Sequence, residues 1–204
     1  MIRLDPQKTI LCYLDFDGVL HPDGAYTAHN KPIHLRGYEG HSLFEHDEIL
    51  VDLLAPYPEV EIVLSTSWVR EKGFTYAKGR LSPALQNLVI GATYHRREMA
   101  YDSFVNSSRG MQVYGDVHRR GAIHWFALDD DAFGWPAFCR DNLIHQVGGW
   151  NDAPGEQPPG LFGLGRPESQ KAVAGRLKEL VHKIRHPDQV AGQEISTTSS
   201  RPKP

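Results

Sequence analysis

Cysteine is scarce in this chain. Two thiols among 204 residues, Cys12 and Cys139, are too few for a disulfide framework or a zinc site, and both read as structural thiols of a reducing compartment. Long apolar runs are missing as well. Nothing approaches the roughly 20 residues that a membrane span requires, and the opening Met1-Ile2-Arg3-Leu4-Asp5-Pro6 lacks the apolar stretch of a secretory signal. The expectation is therefore a cytoplasmic protein with no membrane partner. Nor is there an excess of charge. With 22 basic and 25 acidic side chains the net charge is −3, which predicts no general affinity for nucleic acid or acidic lipid. Only local patches such as His95-Arg96-Arg97 and His118-Arg119-Arg120 are placed to meet a phosphate backbone. No repeat at a solenoid period is present. What remains is a length suited to one well-packed domain, which we expect over residues 1–187.

The chain is organised around Thr9-Ile10-Leu11-Cys12-Tyr13-Leu14-Asp15-Phe16-Asp17-Gly18-Val19-Leu20-His21-Pro22. An apolar run too short for a helix reads as a buried strand, and it stops at two carboxylates two positions apart, followed by glycine. Acids crowded this closely repel unless a cation lies between them, and hard oxygen ligands suit magnesium. A plain Asp-Gly hairpin turn is the competing reading, but Val-Leu-His-Pro is not a clean second strand. Residues 21–44 follow as a long polar connection with His21, His29, His34 and His41. So long a connection suggests a flap over the carboxylates, with a small hairpin around Ile33–Leu35. The loose histidine spacing supplies no convergent metal geometry.

Ser42-Leu43-Phe44-Glu45 fits a capping box, and Ile49, Leu50, Leu53 and Leu54 mark the buried face of a helix ending near Pro56. Val60–Leu64 reads as a second buried strand, ending in Ser65-Thr66-Ser67-Trp68. In an open parallel sheet, ligands gather at the carboxyl ends of the strands, so Ser65 is expected to face Asp15. Its hydroxyl could donate to a phosphate oxygen; alternatively Ser65 or Thr66 only caps the next helix. Residues 68–107 read as helical and irregular, with Leu85, Leu88 and Val89 in the core and Gly91 closing a segment. Arg109 opens a helix through Arg120, with Met111, Tyr114 and Val117 as its expected buried edge and Gly121 as its end.

Ala122–Leu128 is the third expected strand, running into Asp129-Asp130-Asp131. Three acids there must be hydrated or compensated by a cation. Leu143–Val147 reads as a fourth strand ended by Gly148-Gly149, followed by a Pro/Gly-rich loop through Gly165. Pro167 starts a final helix with Val173, Leu177, Leu180 and Ile184 on one face, and Pro187 follows its end. Residues 188–204 are polar and expected to be a disordered tail. Strands alternating with helices predict an α/β protein, a three-layer Rossmann-like parallel sheet with helices on both faces and no large cap domain.

This order of parts resembles the haloacid dehalogenase (HAD) superfamily of aspartate-nucleophile phosphohydrolases. Its four motifs match Asp15-Phe16-Asp17-Gly18-Val19, Ser65, Arg109 and Asp129-Asp130, within roughly residues 9–185. The chain departs from the pattern at the third motif, where lysine is usual. No lysine lies between Lys78 and Lys171, and Arg109 is the best-spaced cation, with Arg70, Lys72 and Arg97 as alternatives. The Leu-Asp-Phe-Asp-Gly-Val-Leu-His-Pro opening, the Leu-Ser-Thr-Ser-Trp segment and the Leu-Asp-Asp-Asp ending look like the HAD domain of multifunctional RNA-repair proteins.

The resemblance implies that Asp15 is the nucleophile and forms an aspartyl-phosphate, and that Asp17 is the general acid and base. It implies magnesium held by the Asp15 carboxylate, the Asp17 main-chain carbonyl and an acid of the third strand, Asp130 before Asp129. Ser65, Thr66 and Arg109 would hold the phosphoryl oxygens. The partner is then a phosphorylated substrate, with a nucleic-acid end among the candidates. A small-metabolite phosphatase, a phosphotransferase and a non-catalytic phosphate- or RNA-binding module are the other readings.

Overall fold

β1 (Ile10–Leu14) has both faces buried, and its alternating side chains divide the core in two. Ile10, Cys12 and Leu14 belong to one apolar cluster; Leu11 and Tyr13 belong to another on the opposite side. In this computed structural model residues 5–26, 33–147 and 161–187 are described. The remaining strands are β2 (Ala25–Tyr26), β3 (His34–Leu35), β4 (Val60–Leu64), β5 (Val89–Ala92), β6 (His124–Asp129) and β7 (Leu143–His145). The helices are α1 (Asp47–Leu54), α2 (Ser67–Lys72), α3 (Phe74–Lys78), α4 (Pro83–Leu88), α5 (Tyr101–Val105), α6 (Arg109–Arg120) and α7 (Pro167–Arg185).

Five strands form one parallel sheet in the order β5-β4-β1-β6-β7. The chain leaves β1 to one side through β4 and β5, then returns to its other side through β6 and β7. The carboxyl ends of β1 and β6 therefore flank the topological switch point, where an open α/β sheet leaves a crevice. Helices α1, α4 and α7 share the apolar cluster of Leu14, and α6 covers the face of Tyr13 through Val113 and Val117. This is the expected three-layer α/β, Rossmann-like architecture. Among the described residues no helix is long and apolar enough to cross a membrane.

Several local expectations are revised. Gly91 does not close a segment; it lies inside the edge strand β5, within the stretch read as helical and irregular. The Glu45 carboxylate does accept from the Ser42 backbone N–H at 3.2 Å, but α1 begins only at Asp47. β6 starts at His124 because Gly121, in the left-handed conformation, ends α6 while the Ala122 N–H still bonds back to Val117. The buried edge of α6 is Val113, Asp116 and Val117, a helical spacing, whereas Met111 is 46% exposed. β7 ends at His145, although the Gln146 N–H still donates to the Asp129 carbonyl. The α7 face is as expected, with Val173, Leu177 and Leu180 buried and Ile184 partly so. The antiparallel 25–26/34–35 ladder falls where a small hairpin around Ile33–Leu35 is expected. Gly148-Gly149, most of the loop after them and the 188–204 tail lie outside the described residues.

Asp116 explains one of the two basic triplets. It is buried, and its carboxylate accepts from Tyr13 Oη (3.0 Å), Arg119 (2.8 Å) and Arg120 (2.5 Å). Arg119 also donates to the Thr93 carbonyl. Arg119 and Arg120 thus compensate an internal charge instead of facing a ligand. Removing one partner of a buried charge network leaves the others unpaired. Asp116→Ala is expected to cost about 3–5 kcal/mol, read as a lowered denaturation midpoint in urea; a loss under about 1 kcal/mol would show the network to be no more than a surface pair.

Candidate active site

Strand register assembles the site. Leu14 is paired with Leu64 on one side and Leu128 on the other. The residues one step beyond that rung, Asp15, Ser65 and Asp129, therefore emerge side by side at the carboxyl end of the sheet. The Asp15 N–H donates to the Leu128 carbonyl and the Ser65 N–H to the Leu14 carbonyl, locking the level. Asp15 is 3% exposed, with one oxygen bound to the Phe16 N–H at 2.7 Å. Its other oxygen meets the Arg109 guanidinium at 3.1 Å. Arg109 opens α6 and also lies 3.2 Å from Asp129 Oδ2. It is the cation that reaches Asp15. Arg70, Lys72 and Arg97, the other candidates from sequence, line a separate groove.

Gly18 shows how tightly the acids are packed. It sits at φ +70°, and a Cβ there would collide with Asp130 Oδ2. Only glycine lets the turn after Asp17 pass under the Asp130 carboxylate. Asp15, Asp129 and Asp130 each present a carboxylate oxygen, all within 4.8 Å of one another. Asp129 Oδ1 takes the Asp131 N–H, but buried Oδ2 has no hydrogen-bond donor, since the approach of Arg109 is an ion pair without aligned geometry. Three converging acids with an orphaned buried oxygen fit a divalent cation with oxygen ligands. Both Asp129 and Asp130 belong to the cluster. Asp131, by contrast, is exposed and accepts the Phe133 N–H in a turn of its own.

Without a cation this packing is electrostatically costly. Burial, and then the neighbouring Asp17 charge, raise the Asp15 carboxyl to about 6 despite Arg109. Burial and the charges of Asp15, Asp23 and Asp17 push Asp130 to about 8. Burial also raises Asp129, against the pull of Arg109. Burial opposes the charge on Arg109, yet Asp15 and Asp129 more than offset it and hold the guanidinium protonated.

The hydroxyls divide their tasks. Thr66 caps α2, accepting the Trp68 N–H at 3.3 Å. Ser65 caps nothing: its buried Oγ has no partner. A donor without an acceptor beside an Arg109-bound carboxylate is suited to an incoming anion. Asp17 does not join the three converging acids, and its carboxylate is bound by His21 (3.2 Å) and by the Trp68 indole N–H (3.0 Å). Its mouth is an open cavity lined by Asp17, Ser67 and, from the flap, Asp23, Tyr26 and Arg36. Trp68 and His21 are the residues that sequence reasoning did not assign to the site. Their signal was present, a histidine four positions after Asp17 and an aromatic after Ser65-Thr66-Ser67. Of the other flap histidines, His41 pairs with Glu45, and His29 lies outside the described residues.

Comparison with known proteins agrees with the motif reading. No curated protein and no solved structure gives a significant match. The family described as the HAD domain in Swiss Army Knife RNA repair proteins matches residues 11–148, more than half of the chain. That span takes in β1 with Asp15 and Asp17, the Ser65 turn, Arg109 and the β6 carboxylates, and the chain belongs to this family of HAD domains.

Proposed function

We propose that the chain is a magnesium-dependent phosphomonoester hydrolase acting through an aspartyl-phosphate, with residues 1–187 as its catalytic domain. The observation that carries this reading is the placement of Asp15, buried between Arg109 and the unpartnered Ser65 hydroxyl at the switch point of the sheet. A phosphoryl group there meets a bidentate guanidinium and a neutral donor. Asp15 attacks phosphorus, and the bond to the leaving oxygen breaks as the bond to the carboxylate forms. Asp17, free of the acid cluster, gives its proton to that oxygen and later takes one from the water that cleaves the acyl phosphate. Asp15, Asp129, Asp130 and the Asp17 main-chain carbonyl would hold magnesium, which supplies charge neutralisation on the phosphoryl oxygens when bound.

Polynucleotide ends are the substrate we favour. Two observations support this: the family's description names RNA repair, and a groove of about 510 Å³ runs beyond the site. The groove lies between α2 and the loop after β5, lined by Arg70, Lys72, Arg96 and Arg97 with Phe74 and Tyr94. Lys72, Arg96 and Arg97 have no ion-pair partner among the described residues, and α2 leads from Thr66 at the site to this groove. Cations with aromatic faces suit a single strand. A phosphorylated oligonucleotide is expected to exceed the matching mononucleotide in kcat/KM, with an advantage that shrinks as salt rises and on alanine substitution of Arg96 and Arg97. Equal efficiencies for the two, at low and moderate salt, would return the protein to the small-metabolite phosphatases.

A further inference from the structure

Asp17 carries the one side chain of the Asp15–Asp17 pair that does not join the acid cluster, and the reason lies in what grips it. Oδ1 receives His21 Nε2 at 3.2 Å and Oδ2 receives Trp68 Nε1 at 3.0 Å. Both donors are rigid. His21 is fully buried, tied by a backbone bridge to Asp17, with its ring edge-on to Phe44 at 4.8 Å and to Trp68 at 5.6 Å. Trp68 is 3% exposed and packs against Phe16 at 5.7 Å, Phe44 at 5.3 Å and Tyr76 at 6.4 Å. At the centre of this cage Phe44 holds φ at +62°, the only non-glycine in the left-handed region among the described residues. A strained backbone persists only where its surroundings over-determine it, and here the strain sits in the ring that fixes both donors.

The tautomer follows from the surroundings. His21 Nδ1 is buried without a partner, so the ring proton belongs on Nε2, where the Asp17 carboxylate accepts it. The three acids repel the Asp17 charge, but a cation held among them would draw Asp17 in as a further ligand, and an acid bound to a cation is a poor proton carrier. We propose that His21 and Trp68 are positioning residues which hold the Asp17 carboxylate out of the Asp15–Asp129–Asp130 cluster and aim it at the leaving-group oxygen from the flap-side cavity. This rests on the phosphohydrolase reading above, since it assigns these side chains a role in leaving-group protonation. A residue that only packs would affect every substrate alike, whereas one that positions the acid matters in proportion to the leaving group's need for a proton.

The test compares two esters by kcat/KM, which covers the steps through leaving-group departure. The first is p-nitrophenyl phosphate, whose phenolate leaves without help; the second is an alkyl phosphate, whose alkoxide does not. Trp68→Phe keeps an aromatic ring in the cage and removes the indole N–H; His21→Gln keeps a side-chain donor, and His21→Leu removes it. With magnesium present, Trp68→Phe and His21→Leu are expected to lose about 10- to 100-fold on the alkyl ester and under about threefold on the aryl ester, with His21→Gln recovering much of the alkyl activity. Equal losses on both esters, or no loss in Trp68→Phe at an unchanged melting temperature, would overturn the positioning role while leaving the hydrolase intact. Hydrolysis of neither ester by the unaltered protein would instead reject the phosphohydrolase reading, and this inference with it.

Discussion

Replacing Asp15 by asparagine is expected to remove turnover, by about four to six orders of magnitude in kcat, while the protein stays folded. The amide nearly preserves the shape of the carboxyl and can still accept the Phe16 N–H that fixes one oxygen at 2.7 Å. It cannot attack phosphorus. Stability should not fall, because the native carboxylate is buried beside Asp17, Asp129 and Asp130, and burial disfavours its charged form. Circular dichroism and a melting curve establish folding, and phosphate release from an aryl ester gives the rate. A folded Asp15→Asn protein with wild-type turnover would place the chemistry elsewhere.

Magnesium removal is the second large effect expected, and it has a readout that does not depend on catalysis. Asp15 rises to about 6 and Asp130 to about 8 in the folded chain, against an ordinary value near 3.8. A carboxyl with a raised folded value binds protons more tightly when folded than when unfolded. The stability it contributes is therefore fully present below about pH 4 and is lost as pH rises through the folded values. Chelated protein is expected to melt progressively lower between about pH 4 and pH 8. Added magnesium should reverse the loss at pH 8, since a cation replaces the protons as the compensating charge. Activity should vanish with chelation and return with magnesium but not with calcium, whose larger and looser coordination does not match the tight octahedral demand of in-line transfer. Undiminished turnover in excess chelator, or melting indifferent to both pH and magnesium, would contradict a cation at these carboxylates.

How much of this was legible beforehand differs by element. The central strands announced themselves, because Ile10–Leu14 is a continuous apolar segment buried on both faces, and Val60–Leu64 and the run ending at Asp129 come close to it, interrupted only by half-buried Glu61 and His124. Their polar ends mark one level of the sheet, so Asp15, Ser65 and Asp129 are legible as neighbours from the sequence alone. β5 was not legible: Val89-Ile90-Gly91-Ala92 is short, half exposed and interrupted by glycine, which reads as a segment end until pairing with β4 is seen. On α6 the expected edge holds at Val117 and in part at Tyr114, but apolar Met111 faces out while a charged residue, Asp116, turns inward, made tolerable by Tyr13, Arg119 and Arg120. That pairing is tertiary and leaves no mark in local periodicity. The same is true of the grip on Asp17. His21 lies within one turn of the chain, but Trp68 is 51 residues away, brought in by the parallel pairing of β1 with β4.

The reading stands or falls on a covalent bond to Asp15. The direct measurement is to mix enzyme with excess aryl phosphate and magnesium, quench in acid within the first turnovers, digest, and weigh the peptide that contains Asp15. An acyl phosphate survives acid briefly and is reduced by borohydride to homoserine, so the account predicts one added phosphoryl group on that peptide, removed by neutral hydroxylamine, and homoserine at position 15 after reduction. It predicts no such adduct in Asp15→Asn. Substrate turnover with no phosphoryl group at Asp15 at any quench time, or the adduct on a different residue, would contradict it.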